Sequence, residues 1–247
     1  MSATRLKAFV QKVNNEFSHV NYFTAYQGLS KHQGYDVQFF ERDELDSLPI
    51  TKETPVSAGI ETMNRVFARF GKTAGVPYYP EELKYLLGRQ VTEMTMQDLR
   101  ARVEDNAETY FIKPLESAKK TFNGHVAGAF RDLIYTAHIP NEQVIVASEP
   151  VEFVTEYRFF VHKEHGIMGM KHYAGKWQFL VDYSVAEAAI KAYTKSPVAY
   201  SLDLGLTADG KTLLVECNDV TSLGSYGLPP AIYSKLIVDR WHEIMAS

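Results

Sequence analysis

The stretch that most constrains this 247-residue chain lies near its end, where two apolar runs flank Ala208-Asp209-Gly210. An Asp-Gly dipeptide between such runs is a strong hairpin signal, because the tight turn needs a backbone conformation that glycine adopts without strain. Residues 196–206 and 211–218 therefore read as paired antiparallel strands. Asp203 sits on the first, and Glu216 and Asn218 on the second. Residues two apart on a strand face the same way, so Glu216 and Asn218 project together, and the hairpin brings Asp203 beside them. Leu202, Leu204, Leu213, Leu214 and Val215 surround the three. Acids embedded in apolar strands are costly unless paired or metal-bound. Two carboxylates and an amide oxygen suit Mg²⁺, a hard cation that takes oxygen ligands. A strand-end acid meeting a lysine, or plain solvent-facing residues, are the other readings.

The rest of residues 109–247 continues the antiparallel pattern. Residues 109–112 and 144–147 read as strands, 156–162 and 167–173 as a hairpin about Lys163-Glu164-His165-Gly166, 184–193 as a helix, and 229–245 as a closing helix. Residues 1–108 alternate short elements instead. Strands are expected at 6–13, 37–40 and 55–60, and helices at 21–32, 61–70, 81–87 and 95–103. In the 61–70 segment Met63, Val66, Phe67 and Phe70 form one apolar face, and Gly71 stands where a helix C-cap belongs. These patterns divide the chain into an α/β region, 1–108, and an α+β module, 109–247.

Cations and a hinge complete the chemistry. Lys113 ends a buried strand before Pro114, as a point charge suited to phosphate. Lys119 and Lys120 lead into Thr121-Phe122-Asn123-Gly124, a loop whose amides can cap phosphates. Residues 144–151 run from a buried strand into an extended hinge with a backbone edge able to pair with adenine. Glu156 and Arg158 then share one strand face, with Lys171 on the return strand. A carboxylate there suits ribose hydroxyls, and a guanidinium forks onto phosphate or carboxylate. A plain cross-strand salt bridge is the alternative.

This order, with Phe111-Ile112-Lys113-Pro114, Lys120-Thr121-Phe122-Asn123-Gly124, Ser148-Glu149-Pro150-Val151, Glu156-Tyr157-Arg158-Phe159-Phe160-Val161, Leu202-Asp203-Leu204-Gly205 and Val215-Glu216-Cys217-Asn218, resembles the ATP-grasp superfamily. It is most similar to the phage and bacterial clade named for two arginines and a lysine. The likeness covers about residues 55–245, and Tyr79-Pro80-Glu81-Glu82-Leu83 with Leu87-Gly88-Arg89 resembles that clade's run-in. The resemblance implies an α+β fold of two subdomains gripping ATP, preceded by a small α/β N-terminal domain. It implies that Lys113, with Lys120, holds ATP phosphates, that Glu149 to Val151 takes adenine, and that Glu156 takes ribose. It further implies that Asp203, Glu216 and Asn218 hold Mg²⁺, and that Arg158, Lys171 and Arg89 serve the reaction. The loop after Lys113 carries only Gly124 and Gly128, fewer glycines than in many relatives.

The activity so implied joins a carboxylate (on a small molecule, a peptide or a protein) to an amine or similar nucleophile, through an acyl phosphate and with release of ADP. Alternatives are a phosphotransferase on the same scaffold and a non-catalytic binding or structural protein. Specificity is expected in residues 1–108 and the loop 219–228. Composition agrees with a globular chain of this kind. It is 45% hydrophobic and 23% charged, and its net charge of −4 does not favour nucleic acid as a partner. The single cysteine, Cys217, the missing apolar leader and the short apolar runs predict a cytoplasmic location, in a bacterium or a phage-infected host, and no membrane span. Gly71-Lys72-Thr73 lacks the upstream glycine of a P-loop, His162 and His165 lack zinc-protease spacing, and Ser225 lacks a nucleophile elbow's glycines.

Overall fold

Three sheets carry the chain, which a computed structural model describes over residues 5–104, 108–115 and 121–247. The first is parallel, with β1 (Lys7–Gln11) between β2 (Asp36–Phe40) and β3 (Val56–Ser57). Parallel strands need a crossover, and α1 (Val20–Lys31) supplies it between β1 and β2. α2 (Ile60–Arg69) follows β3 and turns Met63, Val66 and Phe67 inward, and Gly71 ends it at φ +65°. β3 is shorter than the expected 55–60 because residue 60 already belongs to α2.

The second sheet is antiparallel, in the order β4 (Val91–Thr95), β7 (Val144–Ser148), β5 (Tyr110–Pro114), β6 (His125–Ala127). α3 (Met96–Glu104) covers it with Met96, Leu99 and Val103, which pack on Ile112, Ile145 and Ala147. β4 and α3 precede residue 108, so this layer draws on both sides of that division. The edge strands β4 and β6, and a 3-10 helix at Phe130–Thr136, are additions to the elements expected from sequence. Edge strands bury few side chains (Met94 alone in β4, Ala127 alone in β6), so they carry little hydrophobic period. Residues 81–87, expected as an α-helix, form a 3-10 helix at Glu81–Leu86.

The third sheet, β11 (Thr212–Asp219), β10 (Ala199–Thr207), β8 (Phe153–His162), β9 (Gly166–Gly175), is also antiparallel. One face sends Tyr157, Phe159, Val161, Leu202, Leu204 and Cys217 into a core shared with α4 (Tyr183–Ala192). The other presents Phe160 and Ala199 to α5 (Pro230–Ala246). α5 also reaches the first sheet, where Trp241, Ile244 and Met245 pack with Phe9, Phe40 and Phe67. The Trp241 indole N–H donates to the Lys52 carbonyl at 2.8 Å. Helix 230–246 therefore joins the N-terminal layer to the third sheet. Among the described residues no helix is long and apolar enough to cross a membrane.

Candidate active site

Strand register builds the site. Lys171, Arg158, Asp203 and Glu216 stand directly opposite one another across β9, β8, β10 and β11, two cations followed by two acids in one row. A bulge opposite Asp203/Leu204 lets Leu214 and Cys217 both face the core while Glu216 and Asn218 face the site. Bulges recur next to functional sites because they re-aim side chains in this way. A second bulge, at Glu156/Tyr157, leaves Tyr173 unpaired on β9. Its hydroxyl donates to Glu156 Oε2 at 2.6 Å, and its ring lies 5.2 Å from the Arg158 guanidinium.

Asp203 is fully buried and Arg158 nearly so. Arg158 Nε donates to Asp203 Oδ1 at 2.8 Å, and Nη2 donates to Oδ2. Burial works against charge on Arg158, but Asp203 outweighs it and raises the guanidinium's pKa. Burial, with a contribution from Glu216, also raises the Asp203 carboxyl, against the pull of Arg158. The two partners are thus pulled in opposite senses, and the bidentate geometry is that of a charged pair. Asn218 Nδ2 donates to Glu216 Oε1 at 2.7 Å and to Asp203 Oδ2 at 3.4 Å, which eases the repulsion between the acids. Burial pushes the Tyr173 hydroxyl up strongly, with help from Asp203 and Glu156. Cys217 is buried on the opposite face, where burial and the acids push its thiol well up.

Lys113 comes to Glu216 from the second sheet. Its Nζ donates to Oε2 at 2.9 Å and lies 3.6 Å from the Tyr78 ring centre and 4.3 Å from that of Tyr79. This pair bridges the two antiparallel sheets. Arg89 takes a different place. Its guanidinium donates to the carbonyls of Leu87, Leu214 and Val215, so it clamps the run-in onto β11 beside Glu216. At the hinge, the Gln90 N–H donates to Glu149 Oε2 at 2.9 Å and the Glu149 N–H to the Gln90 carbonyl, while Val151 is half-buried. Lys120 and Lys119 lie outside the described residues. The structure thus brings Lys113, Arg158, Lys171, Asp203, Glu216 and Asn218 together with Glu156 alongside, and sets Arg89, Glu149 and Val151 at the margin.

Two carboxylates and an amide are a chemically apt donor set for Mg²⁺. Asn218 here turns its nitrogen to both acids, so a cation needs that amide reversed. Asp203, twice bonded to Arg158, has a lone pair for a cation once the Asn218 amide is turned away from it. His162, Glu164 and His165 also lie together. The His162 Nδ1 accepts from the Glu164 N–H and its Nε2 donates to Asp239, so neither nitrogen is left for a metal.

A cavity of about 820 Å³ opens on the far side of Arg158 and Asn218. Residues 18–22, 56–60 and 220–224 line it, with Tyr226. Tyr226 sits over Arg158 at 4.8 Å with φ +47°, a left-handed backbone that is strained for a bulky residue. The sequence motifs single out none of Tyr78, Tyr173 and Tyr226, and carry Tyr79 only as part of the run-in. The flanking Gly224 and Gly227 were the available signal for Tyr226.

No curated protein matches the chain. Among solved structures, D-alanine–D-alanine ligase from Bacillus anthracis in complex with ATP superposes with a TM-score of 0.61 at 16% identity, over 99% of this chain and 98% of that one. N5-carboxyaminoimidazole synthetase from Staphylococcus aureus follows at 0.55 and 8% identity, over 95% and 77%. The ATP-grasp ligase PsnB, with minimal precursor, Mg and ADP, gives 0.51 at 10% identity, over 98% and 100%. At such identities the likeness is one of fold. Residues 86–236 match the model of an ATP-grasp domain, that of family 2 in the clade named for two arginines and a lysine. The chain belongs to that family of ATP-grasp proteins.

Proposed function

We propose that this protein is an ATP-dependent, ADP-forming ligase that joins a carboxylate to an amine through an acyl phosphate. The observation that carries the reading is the row Lys171–Arg158–Asp203–Glu216, with Asn218 and Lys113 closing on it. The neighbours' names, which include two ligases and a synthetase, add support.

In this reading Lys113 leaves Glu216 for the phosphates of ATP, while Glu149 and Val151 border the adenine and Glu156, set by Tyr173, meets the ribose. Lys120 is assigned to phosphate from the resemblance alone. Glu216, Asn218 and Asp203 would hold Mg²⁺, which would supply Lewis-acid neutralisation of phosphate charge. Arg158 and Lys171 place the acceptor carboxylate in line with the γ-phosphorus. One carboxylate oxygen takes the phosphoryl group as ADP leaves. The amine then attacks the acyl carbon, loses a proton and expels phosphate. The chain needs no nucleophile of its own, and catalysis is positioning and charge neutralisation. Arg89 acts by holding β11 in register.

Calorimetric titration with Mg²⁺ and a non-hydrolysable ATP analogue tests this. Wild type should bind, and Glu216→Gln should bind clearly more weakly. Equal binding by both removes Glu216 from the metal set, and no binding by folded wild type moves the reading to a non-catalytic protein. Product analysis then separates ligase from kinase: ADP, phosphate and an adduct, against a stable phosphorylated acceptor.

A further inference from the structure

The 820 Å³ cavity meets the reacting row only at Arg158 and Asn218. Its volume is in the range that encloses a drug-sized molecule, far more than one carboxylate needs. Its width is set without a ligand. Asn21 Oδ1 accepts from the Ser225 N–H at 2.7 Å, and a Cβ on Gly224 would stand 2.8 Å from the Asn21 amide nitrogen. This lashes the first turn of α1 to the loop after β11, one wall against the other.

Among the described lining residues the charged side chain is Arg158, whose guanidinium also forks onto Asp203 behind the wall. His19 Nδ1 accepts from the Asn21 N–H, so in the neutral ring Nε2 carries the hydrogen and donates. The acids behind the wall are engaged: Asp203 with Arg158, and Asp219 with Arg240, the Gly75 N–H and Thr221. Hydroxyls and apolar groups make up much of the remainder, Ser57, Tyr22, Ile60 and Leu223 among them. A carboxylate entering meets a guanidinium. An ammonium entering gives up water and meets no acid among the described lining residues, which is costly.

We propose that this cavity takes the acceptor acid, and that the acid carries no free ammonium beside its carboxylate. The class is an N-acylated or peptide-linked carboxylate, as distinct from a zwitterionic amino acid. The proposal rests on the ligase reading above and narrows its substrate.

The test supplies Mg·ATP and hydroxylamine to the full chain, with the proteinogenic amino acids in matched pairs, free and N-acetylated. Phosphoryl transfer to the acid releases ADP. Hydroxylamine then attacks the acyl carbon, loses a proton and releases phosphate, leaving a hydroxamate. Acetylated acids should give hydroxamate at least about tenfold faster than their free partners, a discrimination of about 1.4 kcal/mol. Ser18→Asp, which sets a carboxylate on an exposed part of the wall, should narrow that ratio several-fold. Free amino acids reacting as well as acetylated ones overturn the substrate class and leave the ligase standing, as does a ratio that Ser18→Asp does not move. Neither ADP nor hydroxamate from any acid, in a protein that binds Mg·ATP, overturns the ligase reading and the proposal with it.

Discussion

Two buried Arg–Asp pairs stand on the third sheet and its flank, and they differ in what surrounds them. Asp219 accepts from Arg240 Nε at 3.0 Å and Nη2 at 2.6 Å, from the Gly75 N–H, and from the Thr221 N–H and hydroxyl. Arg240 extends its other arm to Glu243. Every member is satisfied, and the knot fixes α5 to the end of β11. Arg240 puts both nitrogens on one oxygen of Asp219, whereas Asp203 takes Arg158 on its two separate oxygens, and a second acid, Glu216, stands opposite, with one amide serving both. Like charges in a shared buried place are held there against their own repulsion. An Arg–Asp pair by itself therefore marks nothing. In the proposed reading the second acid beside it, which Lys113 balances here, is what offers a seat for a cation.

Substitutions put this contrast to the test. Asp219→Ala leaves Arg240 buried without its partner and should destabilise the protein by about 3–5 kcal/mol in urea unfolding, while the folded fraction keeps its affinity for Mg·ATP. Asp203→Asn should reverse the balance. Turnover should fall by about 10²–10³-fold, with a smaller loss of stability because Glu216 can take up the charge of Arg158. Should Asp203→Asn unfold the chain as far as Asp219→Ala and spare turnover, the two pairs do the same job. Lysine keeps the charge and loses the planar fork, so Arg158→Lys should cost about tenfold in turnover and Arg240→Lys about 1–2 kcal/mol of stability. Interchanged effects contradict the assignment. Raising salt from about 0.1 to 1 M should change stability by less than about 1 kcal/mol. Screening acts on exposed pairs such as Arg42–Glu61 and Lys84–Glu81 and hardly reaches the two knots. A steeper dependence means that one of them is open to solvent.

Much of the third sheet is legible in the sequence, because Asp209-Gly210 and the alternating apolar pattern fix the hairpin, and residues two apart have to face together. That logic sets Glu216 beside Asn218 and Cys217 behind them, as observed. Register across β8 and β10 is less accessible. Sequence alone presents Asp203 as a metal ligand, and its bond to Arg158, 45 positions earlier, depends on which strands become neighbours. The same limit hides Arg240 and Asp219. Bulges hide Tyr173, since an extra residue shifts the two-residue period. The cavity is foreshadowed only as a region, residues 1–108 with the loop 219–228, because cavities arise where distant segments stop short of touching.

Helix 230–246 completes the layer begun at residue 7. During synthesis β1, β2 and α2 leave the ribosome first, yet Trp241, Ile244 and Met245 of their core are made more than two hundred residues after Phe9. The N-terminal layer must wait with an apolar face uncovered while the rest of the chain is translated. Its exposure to chaperones and proteases is longest there, and premature termination before residue 241 strands that face permanently.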